Sequence, residues 1–247
     1  MQSRAAPAKR LAFPGVISSC TAMLEVRELR KSFPGPEGGR VEVIHIPSFS
    51  LAAGEQRALR GESGGGKTTF LNLVAGILVA DAGSIKIDGA DMAALREPAR
   101  DQLRAAKLGY IFQTFNLLQG FTVLENVVLG TSFAPGGADP GRARALLDRV
   151  GLGHRLHHFP RQLSTGQQQR VAVARALAKR PALVLADEPT GNLDPRNARE
   201  SLGLVREACR EDGAALLLVS HDEAVLGQFG AVQDFAALNV AAAEARR

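Results

Sequence analysis

The stretch Gly61-Glu62-Ser63-Gly64-Gly65-Gly66-Lys67-Thr68 constrains the fold of this chain more than any other. It fits G-x-x-x-x-G-K-[ST], a pattern that works only as strand, tight loop and helix in succession. The context agrees. Gln56-Arg57-Ala58-Leu59-Arg60 reads as a short strand before it, and residues 68–74 read as a helix after it. Each residue type has a physical task. Glycines let the backbone turn and let an anion approach closely. Successive N–H groups then form a nest for that anion, and the helix N-terminus adds the positive end of its dipole. The Lys67 ammonium can reach phosphate oxygens, and the Thr68 hydroxyl can ligate Mg²⁺. A chance glycine-rich turn is the competing reading, disfavoured by an eight-residue match in the right context.

Length and composition bound what surrounds that loop. With 247 residues, 45% of them hydrophobic, the chain can form one large α/β domain or a core with a subdomain. No apolar run approaches the ~20 residues that span a bilayer, so a soluble or peripheral protein is expected. Cys20 and Cys209 lack metal or redox spacing and suit a reducing cytoplasm. The net charge is +5, but Lys and Arg are scattered and form no tract with interleaved aromatics. Nucleic acid is therefore not an expected partner, whereas an anionic cytoplasmic leaflet suits the charge. Residues 1–22 read as a disordered leader or a mis-set start, because Pro14 and Gly15 interrupt their apolar patch and Met23 precedes a strand-like run. A lipoprotein signal ending in Ser18-Ser19-Cys20 is the weaker alternative.

Residues 23–88 read mainly as strands, with Asp88-Gly89 as a turn pair. From Met92 the pattern becomes helical and loop-rich, and Asp139 to Val150 carries one apolar face. Four strand-like runs end in residues with chemical potential, as expected where ligands sit beyond the carboxyl ends of parallel strands. One runs into the glycine loop. Leu108 to Phe112 ends at Gln113, Leu183 to Ala186 at Asp187-Glu188, and Leu216 to Val219 at Ser220-His221. An apolar strand ending in Asp is the Walker B pattern, so Asp187 is expected to hold Mg²⁺. Glu188 is expected to act as general base toward water, and Pro189 to stop the strand. Gln113 can contact Mg²⁺ or the water, and His221 the terminal phosphate; alone, each is as well read as an ordinary polar residue. His154, His157 and His158 read as surface residues.

Ser164 with Gln167 fits the S-x-x-Q capping box, and Gly166 leaves that helix start open to close approach. The loop at residues 61–68, Gln113, residues 163–167 and 183–188, Gly191-Asn192-Leu193-Asp194 and His221 occur in a characteristic order. In that order the chain resembles an ABC-type ATPase from Met23 to Arg247. It is most similar in motif detail to the lipoprotein-release and macrolide-export (LolD/MacB) type, through residues 112–118, 122–127 and 187–194.

The resemblance implies an α/β fold, with a P-loop NTPase (RecA-like) core, an antiparallel β subdomain and an inserted helical subdomain at about 92–170. It implies ATP and Mg²⁺ as ligands, with Gly61, Glu62, Ser63, Gly64, Gly65, Gly66, Lys67, Thr68 and Thr69 around the phosphates. It implies catalytic roles for Glu188, His221 and Gln113, and Mg²⁺ ligation by Thr68, Gln113 and Asp187. Phe33 would stack on adenine. Ser164, Gly166 and Gln167 would act on the ATP of a second, like subunit, and Asp194 would lie at the contact between the two. A separate transmembrane permease would dock against the segment from Gln113 to Val127, on the cytoplasmic face of the membrane. Two positions depart from the common pattern. Thr165 replaces the first Gly of LSGGQ, and Lys67-Thr68-Thr69 replaces Lys-Ser-Thr with the same hydroxyl chemistry. The expected activity is ATP hydrolysis powering export or extraction of lipoprotein, peptide or drug. The alternatives are a regulatory ATPase of a cell-wall complex and a non-transport ATPase acting on ribosome or DNA. A single phosphate loop and the absence of sustained heptads disfavour the non-transport reading.

Overall fold

The computed structural model describes residues 22–36 and 38–241. The leader expected at residues 1–22 lies outside them except for Ala22, which opens the first strand. Two sheets organise the chain. The first is antiparallel, in the order β2-β1-β4-β5. Strands β1 (Ala22–Pro34) and β2 (Arg40–Ala52) form a long hairpin, joined by β4 (Ala82–Ile87) and β5 (Ala90–Asp91). The β4–β5 connection is the predicted Asp88-Gly89 pair, with φ of 49° and 80°. Both residues are left-handed, as a type I′ turn requires. Leu24, Val26, Leu29, Ile44 and Ile46 bury one face of this sheet.

The second sheet is parallel, in the order β6-β7-β8-β3-β9. Its members are β3 (Gln56–Arg60), β6 (Leu108–Ile111), β7 (Leu183–Asp187), β8 (Ala215–Ser220) and β9 (Val232–Asp234). Every residue of β7 and β8 is buried. That is why their sequences are unbroken apolar runs rather than alternating ones.

Helix α1 (Lys67–Val74) fills the space between the two sheets. Its Phe70 is fully buried between Phe49 of β2 and Phe235 of the short helix at residues 235–238. On the other face of the parallel sheet lie α5 (Thr165–Leu177) and α6 (Pro195–Asp212). Helices α2 (Glu97–Lys107), α3 (Val123–Ser132) and α4 (Pro140–Arg149) complete the chain between β5 and α5. α3 and α4 pack with α5 around Val127, Leu147 and Val171.

The interval 92–170, expected as a helical subdomain, holds α2, α3 and α4. It contains β6, which pairs with β7 as an edge of the parallel sheet. Its C-terminal limit falls inside α5, whose Val173 and Leu177 belong to the sheet core and whose Val171 and Ala174 belong to the helical core. None of the described helices is long and apolar enough to cross a membrane.

Candidate functional site

The glycine loop runs from β3 into α1 and forms the floor of the site. Gly66 sits at φ 91° as the N-cap of α1, and no side chain caps that helix start. A Cβ at Gly66 would lie 3.0 Å from Ile44 Cδ1 and 3.2 Å from the Val43 carbonyl oxygen, so only glycine lets β2 close over the loop. Glu62, Ser63, Gly64 and Gly65 are exposed, which leaves the concave side of the loop open. Lys67 is buried at 5% exposure, and its Nζ donates to the carbonyls of Gly61 (2.6 Å) and Glu62 (2.7 Å). The cradle thus offers uncapped helical N–H groups and a fixed cation, the donor set that a phosphate chain takes.

Two carboxylates stand at the end of β7. Asp187 Oδ1 accepts from the Thr68 hydroxyl at 3.1 Å, bringing two oxygen ligands together at the mouth of the cradle. Burial raises the Asp187 pKa; the Thr68 hydrogen bond opposes that rise, the Glu188 charge adds to it and Lys67 opposes it. A buried carboxylate in that condition favours a bound cation. One hydroxyl and one carboxylate fit Mg²⁺, which usually takes few protein ligands and completes its shell with water and phosphate oxygens.

Glu188 points to the same side as Asp187, although neighbours on a strand face opposite ways. Its φ of 43° is left-handed and turns the side chain back toward β8. There Oε2 accepts from Ser220 Oγ at 3.0 Å and Oε1 accepts from His221 Nδ1 at 2.8 Å. Lys67 Nζ lies 3.7 Å from Oε1. The His221 ring is 61% exposed, which leaves Nε2 open to a further partner. A carboxylate held at two oxygens beside a phosphate cradle can accept a proton from water.

Gln113 follows β6 and is exposed. Among the described residues its side chain makes no hydrogen bond to Thr68, Asp187 or Glu188. Its backbone carbonyl accepts from Asn192 Nδ2 at 3.0 Å, which ties the loop after β6 to residues 191–194. Phe33 is half-buried on β1, paired with Val41 of β2. Val43 and Ile44, two and three residues further along β2, are those that press on Gly66.

Ser164, Gly166 and Gln167 lie together at the start of α5. The capping box is present: Gln167 N donates to Ser164 Oγ (3.3 Å) and Ser164 N donates to Gln167 Oε1 (3.1 Å). Gly166 faces Asn197, whose side chain would lie 3.2 Å from an added Cβ. Asn197 Nδ2 donates to Asp194 Oδ2 at 2.5 Å, and Asp194 caps α6 by accepting from the Arg196 and Asn197 amides. Its bonds to Asn197 are the main cause of its lowered pKa. Asp194 and the α5 start are therefore neighbours, but among the described residues no hydrogen bond links either to residues 61–69.

The structure adds residues that sequence reasoning passed over. Ser220 was visible only as a neighbour of His221; its role beside Glu188 depends on the pairing of β7 with β8. Asn192 and Asn197 connect motifs that were read separately. Of the histidines read as surface, His154 and His157 are exposed, while His158 is half-buried against Arg155 Nη1 at 2.8 Å. A groove of about 760 Å³ opens beside α2, α3 and α5. Tyr110, Phe112, Leu129 and Phe133 line it, so its walls flank the segment from Gln113 to Val127 rather than coincide with it.

The sequence matches the family model described as "ABC transporter" over residues 44–191. It is 45% identical over 212 residues to the lipoprotein-releasing system ATP-binding protein LolD of Pseudomonas syringae pv. tomato, covering 84% of this chain and 92% of that protein. It is 41% identical over 212 residues to the macrolide export ATP-binding/permease protein MacB of Syntrophobacter fumaroxidans, covering 82% of this chain but 29% of that longer protein. Among solved structures, it is similar to the "Dimeric structure of a post-hydrolysis state of the ATP-binding cassette MJ0796 bound to ADP and Pi". The TM-score is 0.79 at 32% identity, covering 86% of this chain and 94% of that one.

Proposed function

The chain belongs to the ABC transporter family, and from that premise we propose that two copies bind ATP with Mg²⁺ between them and hydrolyse it to drive a membrane permease. The observation that carries this reading is the convergence of Lys67, Thr68, Asp187, Glu188 and His221 at the mouth of one glycine cradle.

Each residue has work suited to its geometry. Residues 61–66 and the start of α1 receive the phosphates, and Lys67 turns from its loop carbonyls to their oxygens. Thr68 and Asp187 would hold the Mg²⁺, and the exposed Gln113 would join them by turning in from the loop after β6. When bound, the ion offsets the negative charge of the β- and γ-oxygens. Glu188 accepts the proton of the attacking water, while Ser220 and His221 fix its two oxygens. His221 Nε2 faces outward toward the terminal phosphate. Phe33 stacks on adenine. Ser164, Gly166 and Gln167 complete the site of the partner copy, with Asp194 at the contact.

The solved relative's dimeric form supports the two-copy arrangement. Likeness to LolD and MacB supports a place on the cytoplasmic face of a membrane and export or extraction of lipoprotein, peptide or drug. The permease would dock at the groove walled by Phe112, Leu129 and Phe133, beside the segment from Gln113 to Val127.

The test uses two variants. Glu188→Gln is expected to bind ATP normally, lose about 10²–10⁴-fold in hydrolysis and sediment as a dimer in Mg-ATP. Lys67→Ala is expected to lose ATP affinity. Normal turnover by Glu188→Gln removes it as the base. A Glu188→Gln chain that stays monomeric at saturating Mg-ATP, alone and with permease, overturns the shared site.

A further inference from the structure

Asp81 lies in the connection between α1 and β4, outside every motif named above. Its carboxylate gathers three donors. Lys31 Nζ reaches Oδ1 at 2.9 Å, and the Ser32 amide and Arg40 Nη2 both reach Oδ2 at 2.8 Å. Its own amide donates to the Arg30 carbonyl at 2.9 Å. Arg40 also donates to the Ser32 carbonyl at 3.2 Å. All of these partners sit at the turn end of the β1–β2 hairpin, next to Phe33.

That end of the hairpin is irregular. The pairing of β1 with β2 shifts between Lys31 and Ser32 before Phe33 meets Val41. A one-residue slip there would turn the Phe33 ring to the other face of the sheet. Asp81 bonds the residues on both sides of the shift, Lys31 and Ser32, and so fixes the irregularity in one form. The ammonium that it holds stands 5.6 Å from the centroid of the Phe33 ring, within cation–π range and covering one ring face.

We infer that Asp81 is a positioning residue for the nucleotide base: it locks the shifted hairpin end and keeps Lys31 on one face of Phe33, so that the other face receives adenine. This rests on the reading of Phe33 as the stacking residue. Placement along β2 supports it. Val41 opposite Phe33 is two residues from Val43, whose carbonyl lies against the cradle at Gly66. At about 3.3 Å per strand residue, the ring's partner is about 7 Å along the strand from the phosphate loop. Asp81 reaches Phe33 only through the hairpin, so its loss should act on base affinity and not on phosphate affinity.

Calorimetric titration with Mg-ATP and with magnesium tripolyphosphate, which lacks a base, separates the two. Losing a base–aromatic stack typically costs about tenfold or more in affinity. Phe33→Ala is expected to lose about that factor for ATP, and Asp81→Asn about three- to tenfold, with tripolyphosphate affinity unchanged in both. The double variant should bind ATP no worse than Phe33→Ala, and Asp81→Glu should restore part of the loss. If Phe33→Ala weakens ATP but Asp81→Asn does not, Asp81 has no positioning role. If Asp81→Asn weakens ATP and tripolyphosphate alike, its effect is general and the inference fails. If Phe33→Ala leaves ATP affinity intact, the stacking reading itself falls.

Discussion

Asp81 holds its charge more firmly than an unconstrained aspartate. The Lys31 hydrogen bond, the Ser32 amide and the Arg40 guanidinium lower its pKa from 3.8 to about 2. A depressed carboxylate stabilises the fold above its unfolded value and loses that contribution as pH falls through its folded value. The thermal midpoint of the wild type should therefore exceed that of Asp81→Asn above about pH 4, and the gap should close between about pH 4 and 2. Melting curves followed by circular dichroism across that range check this; a gap independent of pH would assign the effect to something other than the charge. Asp81 carries no motif, and nothing in its local sequence advertises it. Its partners are 41 to 50 residues away in sequence, so only the hairpin brings them together. The opposite holds for residues 61–68, whose spacing alone prescribes their geometry. Glu188 is intermediate. Its place at a strand end is visible, whereas its left-handed φ and its contact with Ser220 require the β7–β8 register.

At the level of elements, helix α3 shows how a loop becomes a rigid surface. Its start is a complete capping box, Thr122 with Glu125, legible as T-x-x-E. Four residues into the helix region, Asn126 is fully buried and its amide serves the preceding loop. It accepts from the Leu118 amide at 2.8 Å and donates to the carbonyls of Leu118, Phe121 and Thr122 at 3.0–3.1 Å. Removing it takes the partner from the Leu118 amide and the Phe121 carbonyl, whereas the Leu118 and Thr122 carbonyls keep the amides of Phe121 and Asn126. Asn126→Ala is therefore expected to cost about 2–4 kcal/mol, at about 1–3 kcal/mol per unsatisfied group. Denaturant unfolding measures the total, and faster hydrogen exchange confined to residues 113–122 would locate it. A loss under about 0.5 kcal/mol, as at an ordinary surface site, would contradict the pinning. The helical periodicity of residues 139–150 announced α4, with Ala143, Leu146 and Leu147 buried as the spacing requires. The short β6 run was readable as a parallel strand, because it ends at Gln113 as its fellows end in polar residues. Its place at the sheet edge beside β7 was not, since four residues of mixed burial do not say which neighbour they pair with.

For the whole molecule, the two helix starts proposed to meet phosphate are the organising feature. One is uncapped and belongs to the cradle; the other is capped by Ser164 and sits beside Asp194. On the proposed two-copy arrangement, each start completes its site with the other copy. Lys67→Ala spoils a cradle and Gly166→Glu spoils the α5 start, so each variant alone should be inactive. Mixed in equal amounts, half the dimers pair one of each and retain one intact site, so roughly a quarter of wild-type hydrolysis should return. An ATPase assay on the mixture reads this directly; no recovery, with dimers demonstrably exchanging, would place each site within a single chain. The ordered motifs suggest this division of labour in the sequence, while the joints between them, Asn192 and Asn197, emerge only in three dimensions.

Lys67 deserves a last consequence. Its ammonium already donates to the Gly61 and Glu62 carbonyls. Uptake of a nucleotide is consequently a swap of ligands around a resident cation, never the rescue of a bare one. A departing phosphate would hand the ammonium back to the same two oxygens. Release is thereby eased, which is what a motor that must reset on every cycle requires.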